Sequence, residues 1–247
     1  MIGNLKTAFS QGLREASKTA RERVGAMRID ALGRTFRYAR AGAAPLAAGH
    51  MAQAPLAVAD HVGRAVAATA VGDMHVSLTV GNTPVAENQY EGGLLMVSAG
   101  TGAGQAYVIA GNTACPASGT TMLTLEEPLT AALAAGGATK ASLIPNPWAN
   151  VAASGVEENV PAGVPLVDVP ANCYCWLQTA GVANCLTSGT PAVGTLLTFA
   201  AVPGALAALM INADGTAAYA QTMPVVGKQY AAAGVDGECG AVYLMID

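Results

Sequence analysis

The sequence predicts a mainly β protein. Two small β-sandwich, jelly-roll or barrel units are expected after an extended, partly helical basic N-terminal arm. Three observations carry this reading. Charge is split sharply along the chain, with nine basic and three acidic side chains in residues 1–40 (net +6) and three basic and thirteen acidic in residues 41–247 (net −10). After residue 60 the apolar residues fall in short runs broken by Gly, Asn, Pro and Ser, the pattern of many short strands. Between two sets of such runs, Pro145 and Pro147 interrupt any central strand and favour an extended crossing.

The arm comes first. Leu5, Phe9, Leu13, Ala16, Ala20 and Val24 recur every three or four residues, one stripe of an α-helix, with Arg14, Lys18 and Arg21 on a second stripe beside it. The apolar stripe is narrow, and a helix of this quality is marginal in water without a partner. Ordering it costs on the order of 1–2 kcal/mol per residue, so the partner must offer both a groove and negative charge. Three partners satisfy that demand: nucleic acid, an anionic membrane surface, or an acidic protein surface that could be another copy of the chain. Phe36 and Tyr38 alone interleave with the arginines as aromatic platforms, which disfavours nucleic acid. The apolar face has no Trp and few large residues, which disfavours a membrane surface.

The first β set comprises His75–Val80, Leu94–Ser98, Ala106–Ala110, Thr121–Leu125 and Ala141–Ile144, with one short helical turn expected over Pro128–Ala135. The second comprises Val164–Val167, Cys173–Gln178, Thr195–Phe199, Leu206–Asn212 and Gly240–Ile246. A boundary is placed within residues 145–160. The organisation expected is an arm over 1–40, a first β domain over 41–150 and a smaller, barrel-like one over 151–247. Sandwich and barrel are not separated, because both give short alternating strands.

Composition narrows the function classes. Only 11% of residues are charged, against about a quarter in ordinary globular domains, and 52% are hydrophobic. A charge-poor surface of this kind suits subunit contacts. No run reaches 18 consecutive apolar residues, so no membrane-spanning helix is expected. Five cysteines, Cys115, Cys173, Cys175, Cys185 and Cys239, form neither a disulfide framework nor a C-x-x-C metal knuckle, and are expected to be buried free thiols.

Motifs that could carry chemistry do not assemble into a site. Gly100-Thr-Gly-Ala-Gly104 resembles a phosphate loop in composition. It leads into the strand-like Gln105–Ile109 rather than a helix, so a hairpin turn is expected. His50, His61 and His75 show no metal-ligand spacing, and no Gly-x-Ser-x-Gly elbow accompanies Asp60-His61; they are expected in loops or on the surface. Glu126-Glu127 and Glu157-Glu158 are sequence neighbours, which in a strand point to opposite faces. No catalytic residue, cofactor or metal is assigned.

Several phrases resemble a pattern found in tailed-phage virion proteins. They are Asp30-Ala-Leu-Gly-Arg-Thr-Phe-Arg-Tyr-Ala-Arg-Ala-Gly42 with Pro45-Leu-Ala-Ala-Gly49, then Glu91-Gly-Gly-Leu-Leu95, Gly102–Ile109, Leu123–Leu133, Ile144-Pro-Asn-Pro-Trp148 and Tyr174–Gly181. The closing Val226-Gly-Lys228 and Gly240–Ile246 resemble the last hairpin of small phage decoration barrels. The resemblance implies a non-enzymatic capsid decoration, or cement, protein on the outer surface of the virion. Its partners would be the major capsid protein and two further copies of itself in a homotrimer. Head fibre, tail protein, the shell protein itself and a nucleic-acid-binding protein are the rival readings. Within the arm, Arg14, Lys18, Arg21, Arg28, Arg34, Arg37 and Arg40 are expected to anchor to the capsid or a neighbouring subunit through polar contacts, and Leu5, Phe9 and Leu13 through apolar ones.

Overall fold

The structure is a computed structural model that describes residues 9–155, 160–209, 224–231 and 235–247. It is mainly β, as the sequence predicts. The chain divides into two compact units, one made of residues 1–55 and 147–247 and the other of Leu56–Asn146.

In chain order the strands are β1 (Met27–Ile29), β2 (Thr35–Arg40), β3 (Ala52–Gln53), β4 (Arg64–Ala65), β5 (His75–Thr79), β6 (Leu94–Ala99), β7 (Ala106–Asn112) and β8 (Thr120–Leu125). They continue as β9 (Lys140–Ile144), β10 (Ala152–Ala153), β11 (Pro161–Pro165), β12 (Tyr174–Leu186), β13 (Leu196–Phe199), β14 (Leu206–Ala208), β15 (Gly227–Ala231) and β16 (Cys239–Met245). A single 3-10 turn covers Ala59–His61.

The Leu56–Asn146 unit is a six-stranded antiparallel sheet in the order β4-β9-β6-β7-β8-β5. A bridge from Val66 to Leu78 joins its two ends, so the sheet nearly closes into a barrel. Strict alternation places Val76 and Leu78 of β5, Leu95 and Val97 of β6, and Leu123 and Leu125 of β8 in one core. The expected helical turn at Pro128–Ala135 is absent. Leu129 and Leu133 instead enter that core from an extended segment, Leu133 bridging to Thr69. Burial of two leucines outweighs the weak helical preference of so short a run.

The other unit is a ten-stranded half-barrel sheet in the order β10-β3-β11-β12-β16-β15-β13-β14, with β2 also pairing β12 and β1 pairing β2. Its centre is β12, the longest strand at 13 residues. Pairing of β3 with β10 and β11, and of β2 with β12, draws the N-terminal strands into the sheet built mainly by the C-terminal part. The barrel is therefore an insertion between Pro55 and Pro147, whereas the sequence suggested consecutive domains over 41–150 and 151–247. The barrel unit ends at Asn146.

The expected helical arm is not present in the described residues: 9–26 contain turns and bends without helix, and 27–40 are largely the β1–β2 hairpin. Ser17 bridges to Tyr174 on β12, so this segment lies along the sheet. Phe9 and Leu13 pack on a cluster of Phe36, Tyr38 and Trp176. Val24 joins the same cluster, while Ala16 and Ala20 of the expected stripe are exposed. Leu5, the Glu157-Glu158 pair and the last part of the Leu206–Asn212 run lie outside the described residues.

Candidate interaction surface

Gln11 organises the N-terminal segment. It is fully buried, and its side-chain amide donates to the carbonyls of Glu15 (2.8 Å) and Tyr174 (3.0 Å). Its Oε1 accepts from the Ser17 hydroxyl (2.8 Å) and the Tyr38 hydroxyl (2.6 Å). Its backbone carbonyl accepts from Trp176 Nε1 (3.1 Å) and the Arg28 guanidinium (3.2 Å). The Tyr38 hydroxyl in turn accepts the Arg21 backbone N–H (3.1 Å). A buried amide with all its groups satisfied fixes the path of the chain far more tightly than the small apolar contacts around it. A lone Gln in a basic, polar stretch carries no sequence signal for this role, so sequence reasoning missed it.

The segment thus bends over the aromatic cluster, and its cations sort into two groups. Arg28, Arg34, Arg37 and Arg40 are half-buried and engage the unit itself. Arg28 lies over the rings of Phe9 (5.3 Å) and Trp176 (5.9 Å), Arg34 over Phe36 (5.4 Å), Arg37 over Trp148 (4.7 Å) and Arg40 over Tyr174 (5.9 Å). Arg34 also pairs with Asp30 (2.7 Å), and Arg37 holds Asp247 through two bonds (2.7 and 3.2 Å). Desolvation would raise the Asp30 carboxyl. The Arg34 side chain and the backbone N–H groups of Arg34 and Leu32 outweigh it and hold the group below its ordinary value.

Arg14, Lys18 and Arg21 form the second group and are exposed, with Arg21 in a long, solvent-facing contact to Glu15 (3.4 Å). Arg23, which the sequence reading did not single out, is exposed as well. Of the apolar anchors expected for a partner, Phe9 meets Trp176 edge-on (centroids 5.0 Å apart) and Leu13 packs on the same cluster. Both are used within the chain. The large side chains exposed within residues 9–26 are charged: Arg14, Glu15, Lys18, Arg21 and Arg23.

The other candidate motifs resolve plainly. Gly100–Gly104 is the β6–β7 hairpin turn, its three glycines at positive φ and bonded within the turn (Gly104 N–H to the Val97 carbonyl, 2.9 Å). A Cβ at Gly100 would collide with the Ala138 carbonyl, which accounts for that glycine. His75 is exposed and His50 half-buried, but His61 is fully buried in the barrel, contrary to expectation. Its Nε2 faces the Thr83 carbonyl (2.9 Å), so that nitrogen carries the proton and Nδ1 accepts the Tyr90 hydroxyl (2.5 Å). Burial pushes the Tyr90 phenol up to about 12.

All five cysteines are free; four are buried, while Cys239 is exposed. Burial, with a smaller contribution from a neighbouring thiol, pushes Cys175 and Cys185 up to about 12. Among the described residues no group of three metal-ligating side chains occurs, and no helix is long and apolar enough to cross a membrane.

The phrases that resemble virion proteins occupy neighbouring strands. Asp30–Gly42 contains β2, which pairs with Tyr174–Gly181 on β12; β12 pairs with Gly240–Ile246 on β16. Trp148 joins them through its carbonyl, which accepts the Arg40 N–H (2.9 Å). In the barrel, Glu91–Leu95, Gly102–Ile109 and Leu123–Leu133 contribute to β6, β7 and β8, which lie side by side. The chain as a whole matches no protein-family model, no curated protein and no solved structure.

Proposed function

We propose that this chain is a non-enzymatic structural protein of a tailed-phage virion, a decoration protein that binds the outside of the head and reinforces the shell by bridging capsomers. The observation that carries the reading is the clustering of the matching phrases. Most of the resembling segments, though scattered through the sequence, fall on strands of the two sheets, as segments of a shared scaffold would. The reading is also supported by an acidic body with a cationic face at Arg14, Lys18, Arg21 and Arg23. Many such weak contacts, repeated over a lattice of identical sites, sum to firm attachment through multivalency. Complementary fields steer each copy to its site. In this reading the grip is polar, the apolar residues of the segment serve the fold, and the assembled unit is a homotrimer.

The test uses cognate heads that lack the protein. Adding the full chain should raise the temperature at which heads release their genome. A folded Arg14→Glu/Lys18→Glu/Arg21→Glu variant should raise it far less at physiological salt. A full chain without effect on the release temperature overturns reinforcement. A variant as effective as the parent overturns the role of the cationic face.

A further inference from the structure

In an antiparallel sheet with one face on a core, the residues pointing away from that core are ordinarily polar. The half-barrel departs from this rule on β1, β12, β16 and β15, with Thr35 and Arg37 of β2 between β1 and β12. Register defines the face: Ile29 lies opposite Thr35, Thr35 opposite Ala180 and Ala180 opposite Met245. One step along, Met27 lies opposite Arg37, and Val182 opposite Tyr243, which faces Lys228. Tyr230 is the extra residue at the bulge in β15. Met27, Ile29, Val182, Tyr230, Tyr243 and Met245 are 39–61% exposed. The side chains between them on the opposite face, Phe36, Val242 and Leu244, are fully buried. Alternation is therefore intact, and the outward face is itself apolar.

We infer that this face is the contact between copies of this chain. Its extent fits: five strands at about 4.8 Å spacing make it roughly 20 Å wide. Six half-exposed side chains leave on the order of 500–600 Å² of apolar surface, the upper end for a monomer's largest patch. With Thr35, Ala180, Asn184 and Lys228 around them, the face approaches the roughly 800 Å² that each partner gives to a standard interface.

Its charge fits as well. Arg37 and Asp247 neutralise each other through two bonds, which leaves Lys228 as the one net charge that the register places on the face. A nearly neutral face meets its own copy without repulsion, whereas a nucleic acid or an acidic protein needs more positive charge than this. The inference concerns contact between copies of the free protein and depends neither on head binding nor on the number of copies in the proposed function.

The experiment is sedimentation velocity of the full chain from 1 to about 100 µM, without heads. The parent chain should sediment at no less than twice its 24.6 kDa monomer mass. Val182→Lys and Tyr243→Lys, singly and combined, should shift the equilibrium to monomer while near-ultraviolet circular dichroism stays that of the parent. Val202→Lys, at an exposed loop position away from this face, should leave association unchanged. A parent chain that stays monomeric overturns the inference, including one that instead sediments with phosphatidylcholine vesicles. So does an oligomer that survives both lysine substitutions in folded protein. A stable oligomer that ignores phage heads would overturn the decoration reading alone.

Discussion

Gln11 and Asp30 are the two polar residues on which the N-terminal segment turns. Replacing Gln11 with Ala removes the acceptor of the Tyr38 and Ser17 hydroxyls and one of the two donors to the Tyr174 carbonyl, which keeps the Ser17 N–H. The expected cost is about 2–4 kcal/mol. It should appear as a lower denaturant midpoint, together with new tryptic cleavage at Arg14 and Lys18 in native protein. An unchanged midpoint and cleavage pattern would show that the segment is held by its apolar contacts alone. Asp30 gives a pH signature. Its folded value is lowered from 3.8, so its contribution is present at neutral pH and is lost as pH falls through that lowered value. Its Oδ1 accepts the amides of Leu32 (2.9 Å) and Arg34 (3.0 Å), so the proton resonances of those two amides should titrate together in that acid range. Thiol labelling reports the rest of the interior. One cysteine, Cys239, should react in native protein, and all five after unfolding.

At the level of elements, the strands most readable from sequence were those whose alternation is bounded by Gly and Pro. β5, β6, β8 and β9 lie within a residue or two of the expected runs. β12 runs further than expected because Gly181 takes a positive φ (83°), which carries the strand past a position that reads as a break. The strand β2 was hidden by its own charge. Thr35-Phe-Arg-Tyr-Ala-Arg40 alternates, with Phe36 and Tyr38 inward, but its arginines grouped it with the basic arm in a reading led by charge. What sequence could not show was that these arginines stack on rings supplied from residues 148 and 174, since such pairing is visible only once the sheet forms. The consequence is testable. Deleting residues 1–40 removes a strand paired along β12 and uncovers Trp176, so the 41–247 fragment should aggregate or unfold with greatly reduced cooperativity. A 41–247 fragment with parental thermal unfolding would contradict the pairing of β2 with β12.

For the whole molecule, the insertion of one unit into another is the feature least accessible to a linear reading. Composition marks the exit at Pro145 and Pro147, but the entry at Pro55 and Leu56 has no comparable signal. It follows instead from β3 pairing with β10 and β11, strands about a hundred residues away. The barrel has its own nearly closed ring of strands and its own core. Residues 56–146 expressed alone should therefore unfold in a single cooperative transition, whereas a fragment over 41–150 gains nothing from the added segments.

The central claim concerns attachment to a phage head. Its most direct measurement is co-sedimentation of the full 247-residue chain with cognate heads that lack it, titrated to saturation. The account predicts saturable binding at a fixed number of copies per head, weakened by salt and by Glu at positions 14, 18 and 21. Absence of saturable binding, or equal recovery with and without heads, would contradict it and leave the fibre, tail and nucleic-acid readings to be tried.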